Sequence, residues 1–130
     1  MLFLQPDERW LPQVTPTWVD IDKSNNIILV NTARGRVKHR NISKDPRVAT
    51  SLVDFSNPYD MVTLRGKVIE QISGKTAEEH IDELAKKNLD QEKYPRRKPG
   101  EERVLLRIKP EACSSNEMIA FKYKGFLRSL

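Results

Sequence analysis

Apolar and polar residues alternate along much of the chain, a pattern that indicates β-strands. The run from Pro12 to Ile21 is rich in Val, Thr and Trp, and the turn-forming pair Asn25-Asn26 separates it from the apolar run Ile27 to Val30. This arrangement predicts a hairpin. The other predicted strands are Leu2 to Leu4, Arg47 to Asp54, Met61 to Ile72 and Arg103 to Lys109. About six strands in this order are typical of a closed or split barrel.

One segment has a clear helical period. Its apolar side chains fall on a single stripe, which consists of Ala77, Ile81, Leu84, Ala85 and Leu89. Thr76 and Glu79 fit a capping box at the start of this helix. A shorter helix is predicted from Arg36 to Ser43, because Val37 and Ile42 alternate with basic residues in a stretch without proline.

Length and composition predict one compact domain. The 130 residues suffice for a single core but not for two ordinary domains. We assign residues 1–110 to this domain and residues 111–130 to a C-terminal tail of undefined placement. The single cysteine, Cys113, excludes a disulfide framework, and no apolar run reaches the roughly 18 residues of a membrane span. We therefore expect a cytoplasmic protein with no membrane partner.

The densest charge feature is a basic cluster in a chain whose net charge is +5. The cluster contains one acid, Asp45, and six basic residues: Arg34, Arg36, Lys38, Arg40, Lys44 and Arg47. A helix that starts behind Thr32 and Gly35 offers free backbone N–H groups and a positive dipole end, which Arg and Lys reinforce. The absence of a side chain on Gly35 also allows close backbone approach to a ligand. The segment fits a phosphate site, although charge alone equally describes a solvated basic face.

The strand around Pro16 has the features of a sheet edge or a bulge. Pro12 and Pro16 cannot donate to a strand ladder, so nearby backbone groups face something other than a neighbouring strand. A flat heteroaromatic ring with carbonyl and N–H edges suits such groups, and Thr15 adds a hydroxyl. The alternative interpretation is purely structural and equally simple: Pro16 protects the edge of the sheet, and Trp18 belongs to the core.

A series of short motifs resembles the pyridoxamine-phosphate-oxidase-like split-barrel family, and in particular its branch that uses the deazaflavin coenzyme F420. The motifs are Pro12 to Asp20, Asn31 to Ile42, Asp45 to Val48, Asn57 to Tyr59, Leu64 to Val68, His80 to Ala85, Tyr94-Pro95 and Arg97 to Glu101. The ordered series, rather than any single motif, is specific, and it covers roughly residues 1–110. The resemblance implies a mainly β fold, a six-stranded FMN-binding split barrel. It also implies a homodimer with two equivalent cofactor sites at the subunit interface.

The resemblance further implies the cofactor, F420 with FMN as the alternative, and the residues that bind it. The implied phosphate ligands are Thr32, Arg36, Lys38 and Arg40. The implied ring contacts are Val14, Thr15 and Pro16. Tyr59 and Met61 are implied to approach the cofactor from the partner subunit.

Two departures from the family pattern concern the start of the chain. The sequence begins almost inside its first strand, where family members usually have a helix, so we expect part of the pocket wall or dimer contact to be absent. The turn from Pro6 to Trp10 lacks the usual glycine after Asp7, so we expect a longer turn and an exposed Trp10.

These expectations define an oxidoreductase that transfers a hydride between F420 or FMN and a small organic substrate. The cofactor supplies the hydride chemistry, so no catalytic side chain and no metal ligand is assigned. His39 and His80 lie in helical stretches without a nucleophile motif or metal-ligand spacing. One alternative is a carrier or sensor that binds the cofactor without turnover. The other, a nucleic-acid binder, ranks lower because aromatic residues do not interleave with the basic cluster.

Overall fold

A computed structural model describes residues 1–115 of the chain. They form seven strands and two helices: β1 (Leu2–Pro6), β2 (Pro12–Pro16), β3 (Asp20–Asp22), β4 (Ile27–Ala33), α1 (Val37–Lys44), β5 (Arg47–Val53), β6 (Met61–Ser73), α2 (Lys75–Leu89) and β7 (Arg103–Ser115). The mainly β class expected from the sequence is confirmed. None of the helices described here has the length and apolar character needed to cross a membrane.

All seven strands belong to one antiparallel sheet with the order β2-β1-β5-β6-β7-β4-β3. Its two edge strands, β2 and β3, are neighbours in the chain and are joined only by residues 17–19. Because an extended chain spans at most about 3.6 Å per residue, the two edges must approach within roughly 14 Å at this point. The sheet therefore curls into a barrel that is split between β2 and β3.

The division of one expected strand explains why the structure has seven strands rather than about six. The run predicted from Pro12 to Ile21 is interrupted: its first part pairs with β1 and its last part pairs with β4. The last bond to β1 is donated by the Thr17 N–H to the carbonyl oxygen of Met1, at 2.9 Å. The edge position expected from Pro12 and Pro16 is confirmed.

A glycine and a proline face each other in the long pair formed by β6 and β7. The sequence predicts that the last strand ends before Pro110, but β7 continues through Pro110 to Ser115. Pro110 lies opposite Gly66, next to a register shift after Arg65, and the ladder tolerates proline at such a bulge. A Cβ atom on Gly66 would lie 2.2 Å from the carbonyl oxygen of Lys109, so the close approach requires glycine.

Apolar side chains fill the interior of the barrel. The core cluster comprises Phe3, Ile28, Val30, Ile42, Val48, Leu52, Val62, Leu64, Val104, Leu106 and Ile108. The helix α1 contributes Ile42 to this core and begins and ends within one residue of its predicted bounds. The turn between β1 and β2 spans residues 7–11, and Trp10 is 72% exposed, as expected.

The helix α2 packs against β4, β6 and β7. Four residues of the predicted stripe are buried: Ala77, Ile81, Leu84 and Ala85. Leu89 is exposed, so the buried stripe ends one turn earlier than predicted. The capping box expected from Thr76 and Glu79 does not form, because the helix starts directly after Gly74 and has no side-chain cap. The aromatic residues Phe121, Tyr123 and Phe126 of the expected tail lie outside the described residues.

Candidate functional site

A cleft of about 770 Å³ lies at the split in the barrel. One wall is formed by β2 and the start of α1, with Gln13, Thr15, Pro16 and Lys38. The opposite wall is formed by α2 and the loop that follows it, with Ile81, Leu84, Leu89, Tyr94 and Pro95. Asn31 and Thr32 of β4 and Arg103 of β7 line the cleft between these walls.

Half of the expected cofactor-binding residues meet in this cleft. The five that line it are Thr15, Pro16, Thr32, Arg36 and Lys38. Val14 does not line it and is 54% exposed. Gly35 and Arg40 do not line it either, and Arg40 Nη1 donates to the Gly35 carbonyl oxygen at 2.8 Å. Tyr59 and Met61 precede and begin β6, outside the cleft lining, and their approach from a partner subunit stays a prediction.

Ion pairs divide the basic cluster that the sequence shows as one feature. Arg34 pairs with Glu102, Lys44 with Glu8 and Arg47 with Asp45, at 2.6, 2.9 and 2.6 Å. These three cations do not line the cleft. Of the six basic residues, only the two that follow Gly35 in alternation, Arg36 and Lys38, reach the cleft.

Two backbone N–H groups just before α1 already have acceptors within the turn. The Gly35 N–H donates to His39 Nδ1 and the Arg36 N–H to the Ala33 carbonyl oxygen, both at 3.2 Å. The turn closes on itself, with Gly35 in the left-handed region at φ +81°. The N–H groups of Gly35 and Arg36 are therefore not available to an anion, whereas those in the first turn of α1 stay the predicted backbone donors.

Lys38 is a buried cation without an acidic partner. Its side chain is only 9% exposed, and it forms no ion pair with any residue between positions 1 and 115. Burial, together with the positive charges of Arg36 and Arg103, lowers the pKa of Lys38 to about 8. A buried charge is stabilised when an opposite charge pairs with it, so this environment favours a bound anion.

Beside Lys38, one carboxylate is shared by two arginines. Glu101 accepts hydrogen bonds from Arg36 Nη2 at 2.8 Å and from Arg103 Nη1 at 2.7 Å. Burial alone would raise the pKa of Glu101, but the hydrogen bonds from both arginines outweigh it, so this pKa is lowered. The single negative charge of Glu101 is thus shared by Arg36 and Arg103, and Lys38 adds a third positive charge next to these arginines. This part of the cleft has an excess of positive charge.

Aromatic rings form the wall next to these charges. The rings of Trp18 and Tyr94 meet edge to face, with centroids 5.9 Å apart and planes at 83°. The Tyr94 N–H donates to Asp82 Oδ1 at 2.9 Å, which fastens the loop after α2 to that helix. Trp18 lies on the cleft wall rather than in the core that the simpler interpretation assigned to it. The cleft thus combines an aromatic wall with a cationic end.

Solved structures share this architecture. A protein described as F420 reductase is 24% identical, with a TM-score of 0.68 over 88% of this chain and 88% of that chain. A putative pyridoxamine 5'-phosphate oxidase from Listeria innocua is 14% identical, with a TM-score of 0.63 over 88% of this chain and 85% of that chain. The chain has the pyridoxamine-phosphate-oxidase-like fold.

The same fold extends to proteins with other descriptions. A putative 5-nitroimidazole antibiotic resistance protein from Bacteroides thetaiotaomicron is 12% identical, with a TM-score of 0.60 over 86% of this chain and 72% of that chain. No protein-family model matches the chain, and no curated protein matches it. The similarity to solved structures confirms the expected pyridoxamine-phosphate-oxidase-like fold.

The residues of this split barrel fit a cofactor that joins a flat ring to a phosphate. The unpaired ammonium of Lys38 suits the phosphate, and the wall of Trp18, Tyr94 and Pro95 suits a planar ring. The described residues contain no group of three or more His, Cys, Asp or Glu side chains that could hold a metal ion. The cationic side chains and the aromatic wall favour an organic anionic ligand.

Sequence reasoning did not single out Asn31 and Arg103, two of the polar residues that line the cleft. Arg103 begins β7, and the register that pairs Ala33 with Arg103 brings it beside the start of α1. Strand register between distant segments cannot be read from local patterns. Asn31 could have been found as a polar residue directly after the apolar run Ile27 to Val30, whereas Arg103 follows Glu101 and Glu102 and gives no such signal.

Proposed function

We propose that the chain is an oxidoreductase that binds F420, or FMN in its place, and transfers a hydride between this cofactor and a small organic substrate. The observation that carries the proposal is the buried, unpaired ammonium of Lys38 at the cationic end of a cleft with an aromatic wall. The similarity in fold to a protein described as F420 reductase supports the choice of F420 as the first candidate.

The side chains of the cleft have distinct roles in this proposal. Lys38 and Arg36 bind the cofactor phosphate through charge-assisted hydrogen bonds, and the hydroxyl of Thr32 adds a neutral one. Thr15 and Pro16 border the ring system. The cofactor supplies the hydride chemistry, whereas the chain orients the ring, excludes water and provides positive charge.

The first experiment identifies the cofactor. Protein purified from its native source is denatured, and any released chromophore is identified by absorbance and mass spectrometry. Release of a deazaflavin or a flavin supports the proposal. A protein that binds neither F420 nor FMN in titration, but binds nucleic acid tightly at physiological salt, contradicts it.

A second experiment separates an enzyme from a carrier or sensor. The reduced cofactor is mixed with the protein and a candidate acceptor, and its oxidation is followed by absorbance. A 5-nitroimidazole is a suitable first acceptor, because one protein of similar fold is described as a putative nitroimidazole resistance protein. Tight cofactor binding without oxidation by any acceptor favours the carrier or sensor.

We also propose a homodimer, based on the outward face of the sheet. The register places Leu4 next to Val14 and Val53 next to Met61 on this face, and all four side chains are exposed. Phe55, which follows β5, is fully exposed. A second copy related by two-fold symmetry would cover these side chains. Light scattering at micromolar concentration tests this, and a monomer contradicts the dimer.

A further inference from the structure

Arg103 is a further cation in the cleft besides Lys38 and Arg36, and some of its hydrogen-bond donors are not used by the protein. Its side chain is 2% exposed and lines the cleft. Within residues 1–115, the guanidinium donates from Nε to Asn31 Oδ1 at 2.8 Å and from Nη1 to Glu101 Oε1 at 2.7 Å. A guanidinium has five N–H donors, so the donors on Nη2 have no protein acceptor in the described residues.

The contacts around Arg103 hold the guanidinium in one orientation. The Asn31 amide that accepts from it is itself fixed, because its Nδ2 donates to the Ala77 carbonyl oxygen at 2.8 Å and lies 3.3 Å from His80 Nδ1. The guanidinium carbon of Arg103 lies 5.2 Å from the centroid of the Tyr94 ring. A donor that is already immobile loses little conformational entropy when a ligand binds.

Lys38 and Arg103 both line the cleft but contact different parts of its wall. The Lys38 ammonium lies over the ring of Phe3, which belongs to the barrel core. Arg103 lies instead against Tyr94 and against Asn31, whose amide contacts α2. Arg103, unlike Lys38, thus lies against the aromatic wall.

We propose that Arg103 forms a second oxyanion-binding position in the cleft, in addition to the one formed by Lys38 and Arg36, and takes a carboxylate attached to the planar, apolar part of a ligand. This rests on the proposed function, because the carboxylate belongs either to the substrate or to the anionic tail of the cofactor. The fork of a guanidinium matches a carboxylate, and the edge-to-face rings of Trp18 and Tyr94 provide apolar aromatic surface beside it. The proposed substrate class is thus a small planar organic acid, unless the cofactor tail occupies Arg103.

The test compares benzoate with benzamide, which have the same planar body and differ in charge. Both are titrated by calorimetry into the protein alone and into the protein saturated with F420 or FMN. The variants are Arg103→Gln, Arg103→Lys and, as a matched control, Arg34→Gln. Arg34 is a neighbouring arginine whose charge pairs with Glu102 and which does not line the cleft.

We expect the wild type to prefer benzoate, and Arg103→Gln to lose about tenfold in benzoate affinity while benzamide binding changes by less than about twofold. Arg103→Lys should bind benzoate with intermediate affinity, and Arg34→Gln should match the wild type. Preference for benzoate that persists in the cofactor-saturated protein assigns Arg103 to the substrate. Preference that disappears on saturation, with F420 binding weakened in Arg103→Gln, assigns it to the cofactor tail.

The inference is overturned if folded Arg103 variants bind benzoate, F420 and FMN as the wild type does. Arg103 then serves only to hold Glu101 and Asn31 in place. If Arg103→Gln does not fold, Arg103→Lys, which keeps the buried charge, decides alone. Failure of the wild type to bind either cofactor contradicts the proposed function but leaves the benzoate comparison on the protein alone as a full test of Arg103.

Discussion

The Lys38 ammonium lies over the ring of Phe3, 5.3 Å from the ring centroid, and no carboxylate among residues 1–115 pairs with it. A cation–π contact offsets part of the cost of removing an ammonium from water. It does not replace a counter-ion, so the charge state of Lys38 is sensitive to any anion that enters the cleft.

The first prediction is that affinity for F420 or FMN falls as the pH rises through about 8, the value to which burial and the charges of Arg36 and Arg103 lower the pKa of Lys38. Above this pH the free protein loses the ammonium that pairs with the phosphate. Binding of the phosphate favours the protonated form, so a proton is taken up on binding. Titrations of the cofactor across this range measure the effect. Lys38→Arg should remove the pH dependence, since arginine stays protonated.

The first prediction extends to neutral pH, where loss of the Lys38 charge should weaken cofactor binding. Lys38→Ala should reduce it by roughly 1.5 to 3 kcal/mol, with folding nearly unchanged. Lys44→Ala is the control, because Lys44 belongs to the same helix but pairs with Glu8 outside the cleft. Repeating the titration at a second salt concentration separates a phosphate contact from general attraction. Equal affinities of the wild type and Lys38→Ala would remove Lys38 from the site.

Local sequence predicted those parts of the site that lie within one short segment. Thr32, Arg36 and Lys38 are close in the chain, and a strand followed by a helix brings them to one end of the cleft. Pro12 and Pro16 identified an edge strand because proline lacks the N–H group that a ladder needs. In contrast, Arg103 reaches Asn31 only through the pairing of β4 with β7, which no local pattern encodes.

Tertiary context also overrode two local signals. Thr76 and Glu79 have the spacing of a capping box, but β6 runs to Ser73 and the helix starts directly after Gly74. Pro110 is a strong end signal for a strand, yet β7 passes through it because Gly66 gives the bulge room. In both cases the path of the long strand β6 decides the outcome.

The second prediction concerns the packing of α2. Leu84 is 1% exposed, so Leu84→Ala should lower the free energy of unfolding by about 2 to 5 kcal/mol through lost contacts and a cavity. Leu89→Ala is the matched control and should cost much less, because Leu89 is 45% exposed. Urea unfolding of both variants measures the difference. Similar losses in the two variants would mean that the buried stripe is wrongly assigned.

The third prediction separates steric from conformational demands on glycine. Gly66→Ala should destabilise the fold by about 3 kcal/mol or more, because the new Cβ would overlap the Lys109 carbonyl oxygen in the backbone of β7. At Gly35 nothing lies within 4 Å of a Cβ, so Gly35→Ala should cost only the roughly 1 to 2 kcal/mol of the left-handed conformation. Thermal unfolding compares the two, and a mild effect at position 66 would contradict the close approach.

The last prediction follows from the buried imidazole of His80. Asn31 Oδ1 accepts from Arg103, so its Nδ2 is the end that faces His80, and His80 Nδ1 must accept that hydrogen bond as an unprotonated nitrogen. Burial lowers the pKa of His80, although the carboxylates of Asp20 and Glu83 oppose the shift and Lys87 reinforces it. Protonation would replace the acceptor with a donor and break the contact that holds Asn31.

The sign of the pH effect follows from this lowered pKa. In the unfolded chain His80 takes up a proton near pH 6.5, whereas the folded chain resists protonation until a lower pH. The contribution of His80 to the free energy of unfolding is therefore complete above about pH 6.5. It is lost as the pH falls through the pKa of the folded state, with a slope of at most about 1.4 kcal/mol per pH unit. The lowered pKa values of the carboxylates act mainly below about pH 4.5, outside this window.

His80→Gln, which keeps an acceptor for Asn31 but cannot be protonated, should flatten the pH dependence of the free energy of unfolding, measured with urea, between about pH 6.5 and 5. The same slope in the wild type and in His80→Gln would show that another group titrates, and His39→Gln is the control for the second histidine.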